Sequence, residues 1–98
     1  MSGQTETVEE TITRHVPMWK VIFHNDNKTT MEFVVTTLIA QYGKDPNKAF
    51  ELTMEIHETG QGVAGTYPRE VAEFKQEQTI SLARGQGFPL CVTIEPDE

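Results

Sequence analysis

The spacing of apolar positions changes several times along this chain, and each change marks an element. MWKVIFH at 18–24 gathers β-branched and aromatic residues and reads as a strand. A polar loop, HNDNKTT, overlaps its end. Thr29 followed three residues later by Glu32 fits a capping box, opening a helix that runs to Tyr42 and stops at Gly43. Met31, Val34, Val35, Leu38, Ile39 and Tyr42 fall at helical spacing along it. Asp45 and Pro46 are an N-cap and a first-turn proline for a second helix, ending near Thr59 at Gly60. Ala49, Leu52 and Ile56 share one face of that helix, and Phe50, Met54 and His57 share the neighbouring one. Met31 and Met54 are core by default. A short strand is expected around Val63–Tyr67. A third helix follows from Pro68 to about Arg84, with Val71, Ala72, Leu82 and Ala83 inward, and GQG ends it. A last strand spans Leu90–Glu95, and Cys91 in its apolar run PLCVTI reads as buried. The order β-α-α-β-α-β predicts an α+β domain, a three-stranded sheet packed against helices.

Composition narrows the function. A chain of 98 residues holds one domain with a real core and no second lobe. The net charge of −7 argues against nucleic acid and against an anionic membrane surface. No apolar run approaches a membrane span, and the N-terminus has neither the basic nor the apolar part of a signal peptide. The single cysteine makes a reducing cytosol the expected compartment, with no internal disulfide. More than half of the acidic excess lies at the ends: residues 1–16 carry −2, residues 95–98 carry −3, and 17–94 carry −2. Residues 1–16, rich in Thr and Glu, read as a flexible extension ahead of a core at 17–98.

Two polar features could carry chemistry. Asn25-Asp26-Asn27 follows the first strand, and His57 lies in the last turn of the second helix. An Asx turn and a favourable seat at the negative end of a helix dipole are their plain structural readings. A hydrolytic Asp26–His57 dyad lacks a Ser or Cys in a nucleophile-like turn. His15, His24 and His57 have no metal-ligand spacing, and GQGVAG lacks the Lys and Ser/Thr of a phosphate loop. Neither a metal nor a cofactor is expected.

Taken together, WKVIFHNDNKTTMEFVVTTL, AFELTMEIHETGQGVAGTYPREVAEFK and the closing Phe88-Pro89-Leu90 resemble, in order, the signature blocks of the ClpS family over about residues 17–95. The resemblance implies a non-enzymatic adaptor with the β-α-α-β-α-β fold. Such an adaptor binds proteins whose N-terminus begins with Leu, Phe, Tyr or Trp, and delivers them to the Clp protease through a ClpA or ClpC type AAA+ unfoldase. It implies that Asn25, Asp26 and His57 hold the free α-amino group: a carboxylate supplies charge, an amide carbonyl and a neutral imidazole supply acceptors. It implies a side-chain pocket of Thr29, Met31, Val34, Thr53, Ile56 and Leu90, with Met31 as the gate against β-branched residues. Glu70 and Lys75 match positions that dock the unfoldase's N-terminal domain, and residues 1–16 match the extension the unfoldase engages. A monomer in the cytoplasm, or in the plastid stroma of a plastid-bearing source, is the expected setting.

Some positions depart from the family pattern. Asn27 stands where a second Asp is common, Lys28 where an aromatic is, and Thr53 where a larger Met or Leu is. The first two should weaken attraction for a cationic N-terminus, and the third should widen or polarise the pocket floor. The alternative reading is a small binding module of ribosomal-stalk type, which would not need Asn25, Asp26 and His57 to converge.

Overall fold

The structure, a computed structural model, describes residues 16–98. The expected extension at 1–16 lies, except for Val16, outside the described residues. Three strands and three helices follow in the expected order: β1 (Met18–His24), α1 (Met31–Tyr42), α2 (Pro46–Thr59), β2 (Gln61–Pro68), α3 (Arg69–Gly85) and β3 (Cys91–Pro96). The sheet order is β2-β1-β3, antiparallel throughout. β1 is the central strand, paired on both edges, and its Val21, Ile22 and Phe23 are all buried. Val21 pairs with Gly65 but Ile22 with Val63, so buried Ala64 is the extra residue of a bulge in β2.

Val21, Phe23 and Val92 point into the core with Val34, Leu38, Tyr42, Ile56, Ala72, Ala83 and Leu90. Tyr42 meets Phe23 edge-on at 5.4 Å between ring centroids. The alternate residues of β1 make polar contacts on the other face: His24 Nε2 lies 2.7 Å from Thr93 Oγ1, and Lys20 pairs with Glu95 at 3.3 Å. At the β3 edge, Gln76 Nε2 donates to the Val92 carbonyl at 2.8 Å, satisfying a backbone acceptor there.

Five sequence readings shift. The first cap is Thr30, not Thr29: its Oγ1 accepts from Phe33 N at 3.1 Å, while Thr29 turns its hydroxyl to Asp26. Val71 and Leu82 are each 41% exposed, because α3 turns the small Ala72, Thr79 and Ala83 toward the core. Met31 is 40% exposed and Met54 half-buried, so neither is core. Cys91 is exposed, since its strand alternates between Leu90 and Val92 inward and Cys91 outward. The second strand is longer than Val63–Tyr67. Its start lies close under α2: a Cβ on Gly62 would stand 2.8 Å from Ile56 Cγ1 and 2.9 Å from Leu52 Cδ1.

Candidate functional site

The loop between β1 and α1 is shaped by Asp26. Its Oδ1 accepts from Lys28 N at 2.8 Å and Thr29 N at 2.7 Å, and its Oδ2 accepts from Thr29 Oγ1 at 2.7 Å. This is the plain Asx-turn reading realised. It commits Oδ1 twice and Oδ2 once, leaving Oδ2 a lone pair for a further donor. Burial pushes the Asp26 carboxyl up. The hydrogen bonds from Thr29 and Lys28 and the nearby Arg84 guanidinium outweigh that and hold it below the ordinary 3.8.

The same loop is tied to the end of α2. Asn25 N donates to the Gly60 carbonyl at 2.9 Å, and Gly60 N closes α2 on Ile56 O at 2.9 Å. Gly60 sits at φ +99°, a left-handed cap that a β-carbon would strain. His57, one turn before this cap, is exposed at the carbonyl end of the helix, its plain structural seat. Asn25 is exposed and Asp26 half-buried. One backbone hydrogen bond therefore joins the segment bearing Asn25 and Asp26 to the helix end bearing His57.

The apolar residues named for the pocket divide. Val34, Ile56 and Leu90 are buried in one cluster, and Thr53 is buried with its Oγ1 donating to the Ala49 carbonyl at 2.7 Å. Met31 opens α1 at the surface. Thr29 is half-buried and uses its hydroxyl on Asp26. Glu70 is exposed in the first turn of α3. Lys75 is half-buried; its Nζ donates to the Gln41 carbonyl and lies 5.4 Å and 5.8 Å from the Tyr42 and Tyr67 ring centroids.

Sequence reading passed over Arg84. It closes α3, donates to the Phe88 carbonyl at 2.8 Å and acts on the Asp26 carboxylate. Its place in a last helical turn just before GQG was the available signal. Among the described residues there is no cluster of three or more His, Cys, Asp or Glu fit to hold a metal ion. No helix among them is long and apolar enough to cross a membrane.

Comparison with known proteins is consistent across sequence and structure. The family model described as ATP-dependent Clp protease adaptor protein ClpS matches residues 14–93. The ATP-dependent Clp protease adapter protein ClpS of Desulforapulum autotrophicum is 51% identical over 81 residues, 83% of this chain and 78% of that protein. Its counterpart in Lawsonia intracellularis is 44% identical over 97 residues, 98% of this chain and 89% of that protein. The solved structure of Agrobacterium tumefaciens ClpS2 bound to L-phenylalaninamide superposes with a TM-score of 0.81 at 31% identity, covering 85% of this chain and all of that one.

Proposed function

Because this chain belongs to the ClpS family of Clp protease adaptors, we propose that it binds proteins through a bulky hydrophobic N-terminal residue and hands them to the Clp protease. The observation that carries the reading at residue level is the Asn25–Gly60 hydrogen bond, which ties the Asn25-Asp26 segment to the helix end bearing His57. An α-ammonium has three donors. The free lone pair on Asp26 Oδ2, the Asn25 amide carbonyl and a neutral His57 nitrogen are three acceptors of graded charge. The related structure's ligand, L-phenylalaninamide, carries both a free α-amino group and a bulky side chain, which suits this assignment. Met31, Val34, Thr53, Ile56 and Leu90 then receive the first side chain, while Thr29 holds Asp26.

Delivery is assigned to α3. Glu70 and Lys75 are the docking residues for the N-terminal domain of a ClpA or ClpC type unfoldase. Val71 and Phe74, 41% and 60% exposed, provide apolar area beside them. Lys75 acts there through its exposed edge, since its ammonium is held by Gln41. Residues 1–16 are the segment offered to the unfoldase, and the cytoplasm is the place of action.

The test is fluorescence anisotropy with paired peptides that begin with Leu or Phe and are free or acetylated at the N-terminus. Acetylation removes the charge and two of the three donors, so binding should fall by about 10-fold or more, the weight of a charge-assisted hydrogen bond. Equal binding of both forms would overturn the assignment of Asn25, Asp26 and His57.

A further inference from the structure

Beyond the first-residue site, the two helices of the α1–α2 hairpin carry exposed apolar side chains that the fold does not use. Phe50 is 58% exposed and Ile39 38%, and Met31, which borders the first-residue pocket, is 40% exposed. Met31, Val35 and Ile39 recur every fourth residue along α1. Phe50, Met54 and His57 recur at four and three along α2.

Neighbouring cavities fix which way these stripes face. The opposite side of α1, with Thr36, Thr37 and Ala40, lines a cavity with Leu82 of α3. The opposite side of α2, with Lys48, Glu51, Leu52 and Glu55, lines a cavity of about 450 Å³ with Val63 of β2. The two stripes are therefore turned toward the seam between the helices. The hairpin is antiparallel, joined by only Gly43-Lys44-Asp45, so Met31 stands toward the His57 end and Ile39 toward Phe50.

We propose that this seam is an extension of the recognition site and takes an apolar side chain at the fourth residue of the bound N-terminal segment. The inference rests on the first-residue reading above and deepens it. Continuity names the occupant, since His57 closes both the α-amino site and the α2 stripe. Length agrees with it. Seven helical residues from His57 back to Phe50 rise about 10 Å, and three steps of extended peptide also span about 10 Å. Charge selects the same occupant. Glu32 on α1 and Glu58 on α2 are exposed beside the stripes, and α1 has no basic residue. Two-fold pairing with a second copy would set these carboxylates against one another, whereas an N-terminal segment brings an ammonium.

The experiment measures anisotropy of the full chain with ten-residue peptides that begin with free Leu and carry Leu, Ala or Asp at residue four. Leu at residue four should bind about 5-fold more tightly than Ala, the scale of partial burial of one aliphatic side chain. Phe50→Ser should bring that ratio to about one, and Phe50→Leu should keep it. Phe50 lies outside the core, so both variants fold. A residue-four ratio of one in the unmodified protein overturns the seam alone if first-residue preference remains. Failure of any free Leu peptide to bind overturns the seam together with the first-residue reading. A ratio unchanged by Phe50→Ser also overturns it, as does sedimentation showing a dimer that Phe50→Ser dissociates.

Discussion

Asp26 shows how one side chain builds a loop and sets its charge together. Its ionised form accepts three hydrogen bonds, so folding favours the carboxylate. The stabilisation is present above the ordinary aspartate range and is lost as pH falls through the lower folded value. Carboxyl-carbon NMR should place the Asp26 midpoint below 3.8. Thr29→Val keeps the backbone donor but loses the hydroxyl, so the midpoint should rise toward the ordinary value; an unmoved midpoint would mean that the hydroxyl contributes nothing to the charge. Thr53 makes a second case. Its hydroxyl is satisfied by the Ala49 carbonyl, and only 3% of the residue is exposed. Thr53→Met forces a longer chain into a packed position, at a cost of about 1–3 kcal/mol. Where it fills the first-residue pocket it should also favour Leu over Trp at peptide residue one. Thermal unfolding reads the first effect and the anisotropy ranking the second, and an unchanged ranking would remove Thr53 from the pocket.

At the scale of elements, the caps decide where the helices begin, and they separate what the sequence could and could not specify. Asp45-Pro46 and Gly60 were readable because an N-cap acid directly before a first-turn proline and a glycine at the helix end have no adjacent competitor, and α2 runs between them as expected. Thr29 and Thr30 were not separable, since adjacent hydroxyls both fit a cap. Tertiary structure decided by giving Thr29 to Asp26. The faces of α3 misled for a related reason. Periodicity marks large apolar residues, but the helix packs through Ala72, Thr79 and Ala83, leaving Val71, Phe74 and Leu82 outward. The alternation that exposes Cys91 was hidden because outward positions on β3 include an apolar residue type. Asn25, Asp26 and His57 were visible as residues. That Gly60 would receive Asn25 N was not, because it is a contact between segments 35 residues apart in the chain. Thr30→Ala should destabilise the protein by about 1 kcal/mol in urea titration, the usual weight of an N-cap. An effect near zero would return the cap to Thr29.

Across the whole molecule, Tyr42 joins layers that would otherwise meet only through aliphatic contacts. It ends α1, sets its ring edge-on to Phe23 of the central strand, and shares a 2.6 Å hydrogen bond with Thr79 of α3. Lys75, proposed for docking, lies over the same ring, so α3 is anchored to α1 at this point. Burial pushes the Tyr42 phenol up to about 12, with the Thr79 hydrogen bond opposing. A phenol held neutral in the fold but free to ionise when unfolded gives stability that is fully present below pH 10. That stability is lost as pH rises through the folded value. Urea unfolding between pH 8 and 12 should therefore show stability falling above pH 10. Tyr42→Phe removes the ionising group and its hydrogen bond, and Thr79 keeps a partner in the Lys75 carbonyl at 2.8 Å. The variant should lose about 1 kcal/mol at pH 8 and show a shallower alkaline decline. Some decline persists through Tyr67, whose phenol burial also raises. A variant with the full alkaline slope would assign that slope to other groups and leave Tyr42 as a packing residue alone.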